Sequence, residues 1–440
     1  MDSNTDQPPF PVDREALATL ERLWAAGHGA YLVGGGVRDA LLGLTVSDWD
    51  VATDARPERI LQVFPGSSYE NRFGTVLAGA TEITTFRRDH RYADHRRPDS
   101  VTFSDDVFED LARRDLTINA IAWGRRGPEP APHLVDPADG RRDLQARLVR
   151  AVGNPGRRFE EDALRLLRAV RIAARLDFVI EPVTLQAMSA HAGDIGWVSE
   201  ERIGDELRRM VGAAQPSRAI RLMQRTGLLA TPLPELDSLP SVTLEGALAA
   251  LDTVALEQPG HERLALAALF GAVGIEVARS VLARLRVGAR DIDAITDLLT
   301  AAATSYVPTW RDADVRRFMG SLPRELLDDA LALRDARAAH GTDDHRERQL
   351  QQRIADQRAT APALTLGDLA LDGHDLREAL HIAEGPVIGI ILGRLLDDVL
   401  EAPELNTRAT LLARAGLILD ELSKGRRGSM DGDAAHRAIR

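Results

Sequence analysis

The sequence predicts a mixed α/β domain with a small sheet at the N-terminus, followed by helices almost to the C-terminus. Three observations lead there. Short apolar and β-branched runs alternate with glycine and proline turns as far as residue 140. Beyond a proline–glycine turn at 136–140, apolar residues recur at helical spacing. Aromatic residues make up only 4% of the chain, so the later helices are expected to pack through aliphatic side chains. At 440 residues the chain exceeds one ordinary domain, and about two to four are expected.

The elements follow in order. Residues 1–12 read as a loose, disordered leader, polar and proline-bearing, without a basic n-region or an apolar core, so neither a signal peptide nor a membrane span is read there. An amphipathic helix over about 13–29 precedes Tyr31-Leu32-Val33, a short buried strand. The glycine turn Gly34-Gly35-Gly36 then leads into a helix through Ala40-Leu41-Leu42. Asp48, Trp49 and Asp50 read as a strand, which puts both carboxylates on one face and the indole on the other. A turn and helix start at 53–57 are followed by strands at 75–78, 82–86 and 100–103. Between the last two lies a basic loop, 87–97, which suits either a solvated surface or a substrate contact. The run 113–120 opens an apolar helix that Asp115 could cap. Helical runs continue at 159–176, 182–191, 200–211 and 216–226. The segment 229–242, with Pro232, Pro234 and Pro240, reads as a linker or a long turn. Two helical blocks, about 244–336 and 365–422, flank a charged stretch at 343–358, and residues from Lys424 onward read as disordered.

The chain has no cysteine, which excludes disulfides and thiolate zinc sites and fits a reducing cytoplasm. Its net charge of −12 argues at first against a nucleic-acid partner. Charge placement matters more, and arginines crowd the first half: Arg87, Arg88, Arg91, Arg96 and Arg97, then Arg113 and Arg114, Arg141 and Arg142, Arg157 and Arg158. Lys424 is the only lysine, and the planar fork of arginine suits phosphates and base edges.

Three constellations carry chemistry. In the first, a glycine turn at a strand-to-helix junction lets backbone N–H groups approach an anion at a helix N-terminus, with Gly34 and Gly35 in the turn and Arg38 adding a cation. Asp48 and Asp50 then offer two oxygen ligands, the donor set from which magnesium binds one or two carboxylates plus substrate phosphates. Two such ions can activate an attacking hydroxyl and steady a leaving pyrophosphate. Each fragment alone is an ordinary turn or a polar strand end, but in this order they form a specific pattern for nucleotidyl transfer. The second is Arg113-Arg114-Asp115 with Asn119, where Arg114 could hold a phosphate and Asp115 or Asn119 a ribose hydroxyl. The third is the helical ridge Asp162, Arg165 and Arg168. A carboxylate that accepts from an exocyclic amine, beside a guanidinium that donates to a ring nitrogen, complements cytosine and adenine and opposes guanine and uracil. Without the upstream carboxylates this ridge would be a surface salt bridge worth a few tenths of a kcal/mol.

With these residues stated, the chain resembles a class II member of the tRNA nucleotidyltransferase and poly(A) polymerase family over nearly its whole length. Five motifs occur in order: 34–50, 113–120, 136–140, 161–165 and 201–207. The resemblance implies a polymerase β-like nucleotidyltransferase head (13–140) with a small mixed sheet and then an all-α neck (141–212), body (213–350) and tail (351–423), ending in a disordered segment (424–440). The family's elongated seahorse shape would lay tRNA along one side. It implies that Asp48 and Asp50 bind Mg2+, with Glu82 as a third acidic position. It further implies that Gly35, Arg38 and Arg114 bind the nucleotide, while Asp162, Arg165, Arg168 and Arg171 form its recognition helix. The expected reaction is template-independent addition of CCA to tRNA from CTP and ATP, with no membrane partner. Addition of only A or only CC, and poly(A) synthesis, are the alternatives within the family. The uninterrupted 87–97 loop favours full CCA addition, and Asn71-Arg72-Phe73-Gly74 departs from the basic signature of the polymerases. A catalytically silent RNA-binding protein is the alternative from another class. In the body, Ala267-Ala268-Leu269-Phe270-Gly271 stands where relatives often carry a His-Asp metal motif, so this region is degenerate HD-like, without an accessory phosphohydrolase, and His261 is read as structural.

Overall fold

The first half of the chain builds a seven-stranded mixed sheet, and the second half builds helices. In the computed structural model, residues 8–71, 74–90, 100–127, 129, 131–339, 344–383 and 385–437 are described. Most of the expected leader, and Arg91, Arg96 and Arg97 of the basic loop, lie outside them.

Nine strands form the N-terminal part: β1 (Ala30–Val33), β2 (Asp50–Thr53), β3 (Ser68–Asn71), β4 (Thr75–Ala78), β5 (Thr81–Thr85), β6 (Arg87–His90), β7 (Ser100–Phe103), β8 (Ala122–Arg125) and β9 (His133–Val135). The sheet runs β3-β4-β5-β2-β1-β8-β9. Strand β1 is antiparallel to both β2 and β8, whereas β2 pairs in parallel with β5. The pair β6-β7 stands apart as its own antiparallel ribbon, so 100–103 does not join the main sheet. Strands β8 and β9 follow the 113–120 run, where a longer helix was expected. Only a 3-10 turn, Thr117–Asn119, forms there. The apolar run that suggested a helix is instead β-sheet core, with Ala122 and Trp123 buried.

One face of the sheet buries Tyr31, Val33, Ala52, Phe86, Leu111 and Val135 together. Burial also pushes the Tyr31 hydroxyl up to about 12. Near the start of the chain, Phe10 is buried and stacks on Trp49, with ring centroids 6.1 Å apart. The expected loose leader therefore contributes an anchor, because burying an aromatic ring outweighs the cost of ordering a few residues.

After a short parallel pairing of Leu148–Val149 with Val179–Ile180, the chain is helical. The expected helix at 159–176 is broken into Pro155–Glu161 and Leu164–Leu176, with Asp162 extended between them. Leu166, Leu167, Val170 and Ala173 bury one face of the second helix, and Ile203, Leu207 and Met210 bury one face of Glu200–Val211. The proline-bearing segment 229–242 holds a short helix, Pro234–Asp237, with Leu229, Leu233 and Leu236 buried, so it is part of the core and no linker. At the start of helix Glu262–Phe270, His261 Nδ1 accepts from the Leu264 N–H.

The chain divides into two compact units, residues 1–266 with 272–289, and 267–271 with 290–440. In the second, the charged stretch near 343–358 forms helix Asp344–Ala359 and buries Leu350 and Ile354. Two of its polar residues meet buried arginines: Glu347 pairs with Arg334 at 2.7 Å, and Gln357 accepts from Arg316 at 2.7 Å. Leu371, Leu376, Ile391, Leu395, Val399 and Leu411 form a separate core. The last helix, Arg408–Arg437, continues past Lys424, because a helix satisfies its backbone hydrogen bonds within its own segment. Among the described residues no helix is long and apolar enough to cross a membrane.

Candidate active site

One cavity of about 740 Å³ in the first unit gathers the glycine turn, the acidic pair, the 113–119 run and the arginine helix. Its floor begins at Gly34, which caps helix Gly35–Leu41 with φ +76°. A side chain there would sit 3.0 Å from Arg114 Nη1 and 3.4 Å from Asp50 Oδ2, so only glycine admits both groups. Gly36 is held as closely by the carbonyl of Asp48 and the Trp49 ring, both 3.0 Å from where a Cβ would be.

Strand β2 begins at Asp50, so Asp48 precedes the strand instead of lying within it. Both carboxylates nevertheless line the cavity, and Trp49 between them is buried. Glu82 reaches the same cavity because β2 and β5 are in parallel register, with Val51 opposite Ile83. Asp50 meets solvent through the cavity mouth, yet protein crowds its other sides. That crowding, with the Asp48 charge, raises its carboxyl above the usual range, while Arg114 and Arg168 pull the other way.

Arg114 is positioned from below by Asp110, a fully buried carboxylate that pairs with Arg113 at 2.7 Å and Arg114 at 3.1 Å. Burial opposes ionisation of Asp110, but the two guanidiniums overcome it and hold its carboxyl below the usual range. Arg114 Nε is buried without a hydrogen-bond partner. A stranded donor costs about 1 to 3 kcal/mol, so a ligand oxygen there would be favoured. Arg38 is buried and donates to Asp39 at 2.8 Å and to Asn119 Oδ1 at 2.6 Å. Burial lowers its pKa, against the Asp39 charge. Asp115 accepts from the Leu116 N–H and from Asn119 Nδ2, so it closes a local loop where a helix cap was expected.

The neck supplies the opposite wall. Asp162 Oδ1 accepts from the Leu164 N–H at 3.1 Å, and Arg202 Nη2 pairs with Oδ2 at 3.0 Å. Arg165 donates to Glu161 at 2.6 Å and to the carbonyls of Arg158 and Arg113. These three bonds leave two of the five N–H donors of a guanidinium. Arg168 Nε bonds Asp115 Oδ2 at 2.7 Å. The Arg168 charge and the Asn119 bond oppose the burial penalty on Asp115 and hold its carboxyl well below the usual range, while Asp115 raises the Arg168 pKa. Arg171 Nε bonds Glu206 at 2.6 Å, and Glu206 is buried.

Every candidate metal- or nucleotide-binding residue from the sequence therefore lines this one cavity: Asp48, Asp50 and Glu82; Gly34, Gly35 and Arg38; Arg114, Asp115 and Asn119; Asp162, Arg165, Arg168 and Arg171. The helical ridge differs in one respect, since Asp162 sits before the helix and its orientation comes from Arg202. Arg202 and Arg209 also line the cavity, and Glu206 lies between them in sequence; none had been given a role. The signal was present, because 202, 206 and 209 share one face of helix Glu200–Val211. Asp110 was readable the same way, four residues before Arg114. Eight arginines against five carboxylates line the cavity, so a chain of net charge −12 presents a locally cationic site. Among the described residues no group of three His, Cys, Asp or Glu side chains is close enough to hold a metal alone.

Comparison with known proteins agrees with this geometry. The family model described as the Poly A polymerase head domain matches residues 30–150. The "Probable RNA and SrmB-binding site of polymerase A" matches 177–239, and tRNA nucleotidyltransferase domain 2 matches 257–415. A CCA-adding enzyme of Geobacillus stearothermophilus is 36% identical over 388 residues, covering 86% of this chain and 90% of its own. That of Geobacillus kaustophilus (strain HTA426) is 34% identical over 415 residues, covering 92% and 96%. The crystal structure of the Bacillus stearothermophilus CCA-adding enzyme in complex with CTP aligns at TM-score 0.75 and 30% identity, over 95% of this chain and all of that one. A mixed-sheet head with this cavity, and relatives matched over most of both chains, place the protein in the CCA-adding enzyme family of tRNA nucleotidyltransferases.

Proposed function

We propose that the chain adds CMP, CMP and AMP in turn, from CTP and ATP, to the 3′ hydroxyl of tRNA without a template. The observation that carries this reading is a single cavity lined by Asp48 and Asp50 together with Asp162 and Arg165. In each step the tRNA 3′ oxygen bonds the α-phosphorus, the α–β bridging P–O bond breaks, and pyrophosphate leaves.

The glycine turn and Arg114 would hold the triphosphate, Arg114 with its unpartnered Nε. Asp115 and Asn119, which line the same cavity, would meet a ribose hydroxyl. Asp162 retains about one acceptor site of the four on a carboxylate, enough for the amino group of cytosine or adenine, and Arg165 would donate to the adjacent ring nitrogen. Uracil and guanine would set carbonyl against carboxylate and N–H against guanidinium. Stranding buried polar groups in this way supports discrimination of about 10⁴ without a template.

Asp48 and Asp50 are hard oxygen donors that line the cavity, and burial, with the Asp48 charge added to it, raises the Asp50 carboxyl, a penalty that a bound cation would offset. The donor set fits Mg2+, which binds through one or two carboxylates plus substrate phosphates, with Glu82 as a further candidate. Bound there, the cation would acidify the attacking hydroxyl and neutralise the leaving pyrophosphate. The substrates and the cysteine-free chain suit a cytoplasmic setting.

The test offers purified protein tRNA ending at the discriminator base, at C or at CC, first with single triphosphates and then with CTP and ATP together, and sequences the products. With both together, growth to CCA from all three ends is expected. Extension of only the CC end, a stop at CC, or a long adenosine tract would replace this reading with A-addition, CC-addition or poly(A) synthesis. No incorporation at all would leave an RNA-binding protein.

A further inference from the structure

The cavity is crossed by a continuous chain of polar contacts whose two ends lie on the same helix. Arg175 Nη2 bonds Asp39 Oδ2 at 2.8 Å. Asp39 Oδ1 accepts from Arg38 Nε at 2.8 Å, and Arg38 Nη1 donates to Asn119 Oδ1 at 2.6 Å. Asn119 Nδ2 donates to Asp115 Oδ1 at 3.0 Å, and Asp115 Oδ2 accepts from Arg168 Nε at 2.7 Å. Arg168 and Arg175 are two turns apart on one face of helix Leu164–Leu176, so the head, which also meets Arg165 at the Arg113 carbonyl, grips this helix near its start and again near its end. One grip lies in the cavity. The other, Asp39 with Arg175, lies outside its lining.

We propose that Arg175 is a positioning residue for base selection: through Asp39 it fixes the tilt of the helix that carries Arg165 against the turn that holds the triphosphate. This rests on the base-reading role of Asp162 and Arg165. A helix held by the head only near its start, at Arg165 and Arg168, can pivot about that end, whereas one held also at Arg175 cannot. Because base readout needs placement to about 0.5 Å, the outer grip matters although it touches no substrate. Arg175 is the accessible end of the chain, with its side chain 42% exposed against 9% for Asp39. Its removal leaves Asp39 still paired with Arg38 and strands no buried charge, so the helix can be loosened without emptying the site.

The experiment measures kcat/KM for CTP and for UTP on tRNA ending at the discriminator base, in the wild type and in Arg175→Ala, Arg175→Glu and Arg175→Lys. The CTP/UTP ratio does not depend on the fraction of folded enzyme, so partial instability of a variant cannot mimic the effect. A half-exposed pair is worth up to about 1 kcal/mol, so Arg175→Ala should lower the ratio about twofold to fivefold, mainly through a higher KM for CTP. Arg175→Glu, which sets two carboxylates together, should lower it further, and Arg175→Lys should restore it. An unchanged ratio in both Ala and Glu variants overturns the proposal, as does a loss that lysine fails to rescue. A wild type that uses CTP and UTP alike overturns the base-reading assignment itself, and this proposal with it.

Discussion

Replacing Asp162 by asparagine changes one atom and inverts a hydrogen-bond pattern. In the native protein Oδ1 accepts from the Leu164 N–H and Arg202 Nη1, while Oδ2 accepts from Arg202 Nη2. An asparagine has one acceptor oxygen, and the two donors at the Oδ1 position hold it there. The amide nitrogen then takes the place of Oδ2, where it faces Arg202 Nη2 at about the same 3.0 Å, donor against donor, and presents N–H to the base. Losing the contact to the cytosine amino group costs about 1 to 3 kcal/mol, or roughly 5-fold to 150-fold in kcat/KM for CTP. UTP, whose O4 accepts, should lose nothing from that contact and can gain a bond. The CTP/UTP ratio in single-nucleotide incorporation should therefore collapse by more than CTP activity alone falls. If Asp162→Asn slowed all four triphosphates by one common factor, the residue would be acting on phosphate chemistry or on folding, and the base-reading argument would fail.

Three other outcomes follow from the geometry. Asp50→Ala should abolish incorporation of labelled CMP while tRNA binding, measured by filter retention, stays within about twofold, because phosphate contacts made by arginines dominate affinity; retained activity would reject the metal role. Gly34→Ala should raise KM for CTP, since a Cβ would sit 3.0 Å from Arg114 Nη1 in a backbone with φ +76°, and unchanged kinetics would deny that turn a place in triphosphate binding. Asp110→Asn should destabilise the fold around it by about 2 to 4 kcal/mol at neutral pH by stranding two partly buried guanidiniums. Because the folded pKa of Asp110 lies below its unfolded value of about 3.9, its contribution is complete above that pH and is lost as pH falls through the folded value. Denaturation series in that acidic window should show a flatter pH dependence for the variant than for the wild type.

Much of the site was readable from local order. The glycine turn, the paired aspartates and the arginine helix are short motifs whose residues act through backbone geometry a few positions away, so their spacing survives as pattern. The mixed-sheet head and the helical remainder were readable for the same reason. Local pattern misled where burial decided the outcome. The apolar run after Asn119 became strand β8 because β1 offered it an antiparallel edge, and the charged stretch near 350 became a packed helix because Arg316 and Arg334 supplied buried partners. Phe10 was taken for part of a loose leader because nothing adjacent in sequence reveals the two tryptophan rings it meets.

Residue order alone fixed which groups meet in the candidate site: paired carboxylates, a glycine-lined turn, and a carboxylate–guanidinium pair at the start of one helix. Tertiary structure alone decided how those groups are held. Asp162 is oriented by Arg202, 40 residues away; Arg168 is tied to Asp115 across 53; and Arg175 reaches Asp39 across 136. Such pairs form when folding desolvates charges that must find opposite partners, and the chain carries 55 basic residues and 67 acidic ones from which partners could be drawn. Spacing along a helix restricts neighbours to three or four residues, but only the closure of the head on the neck selects among the distant ones.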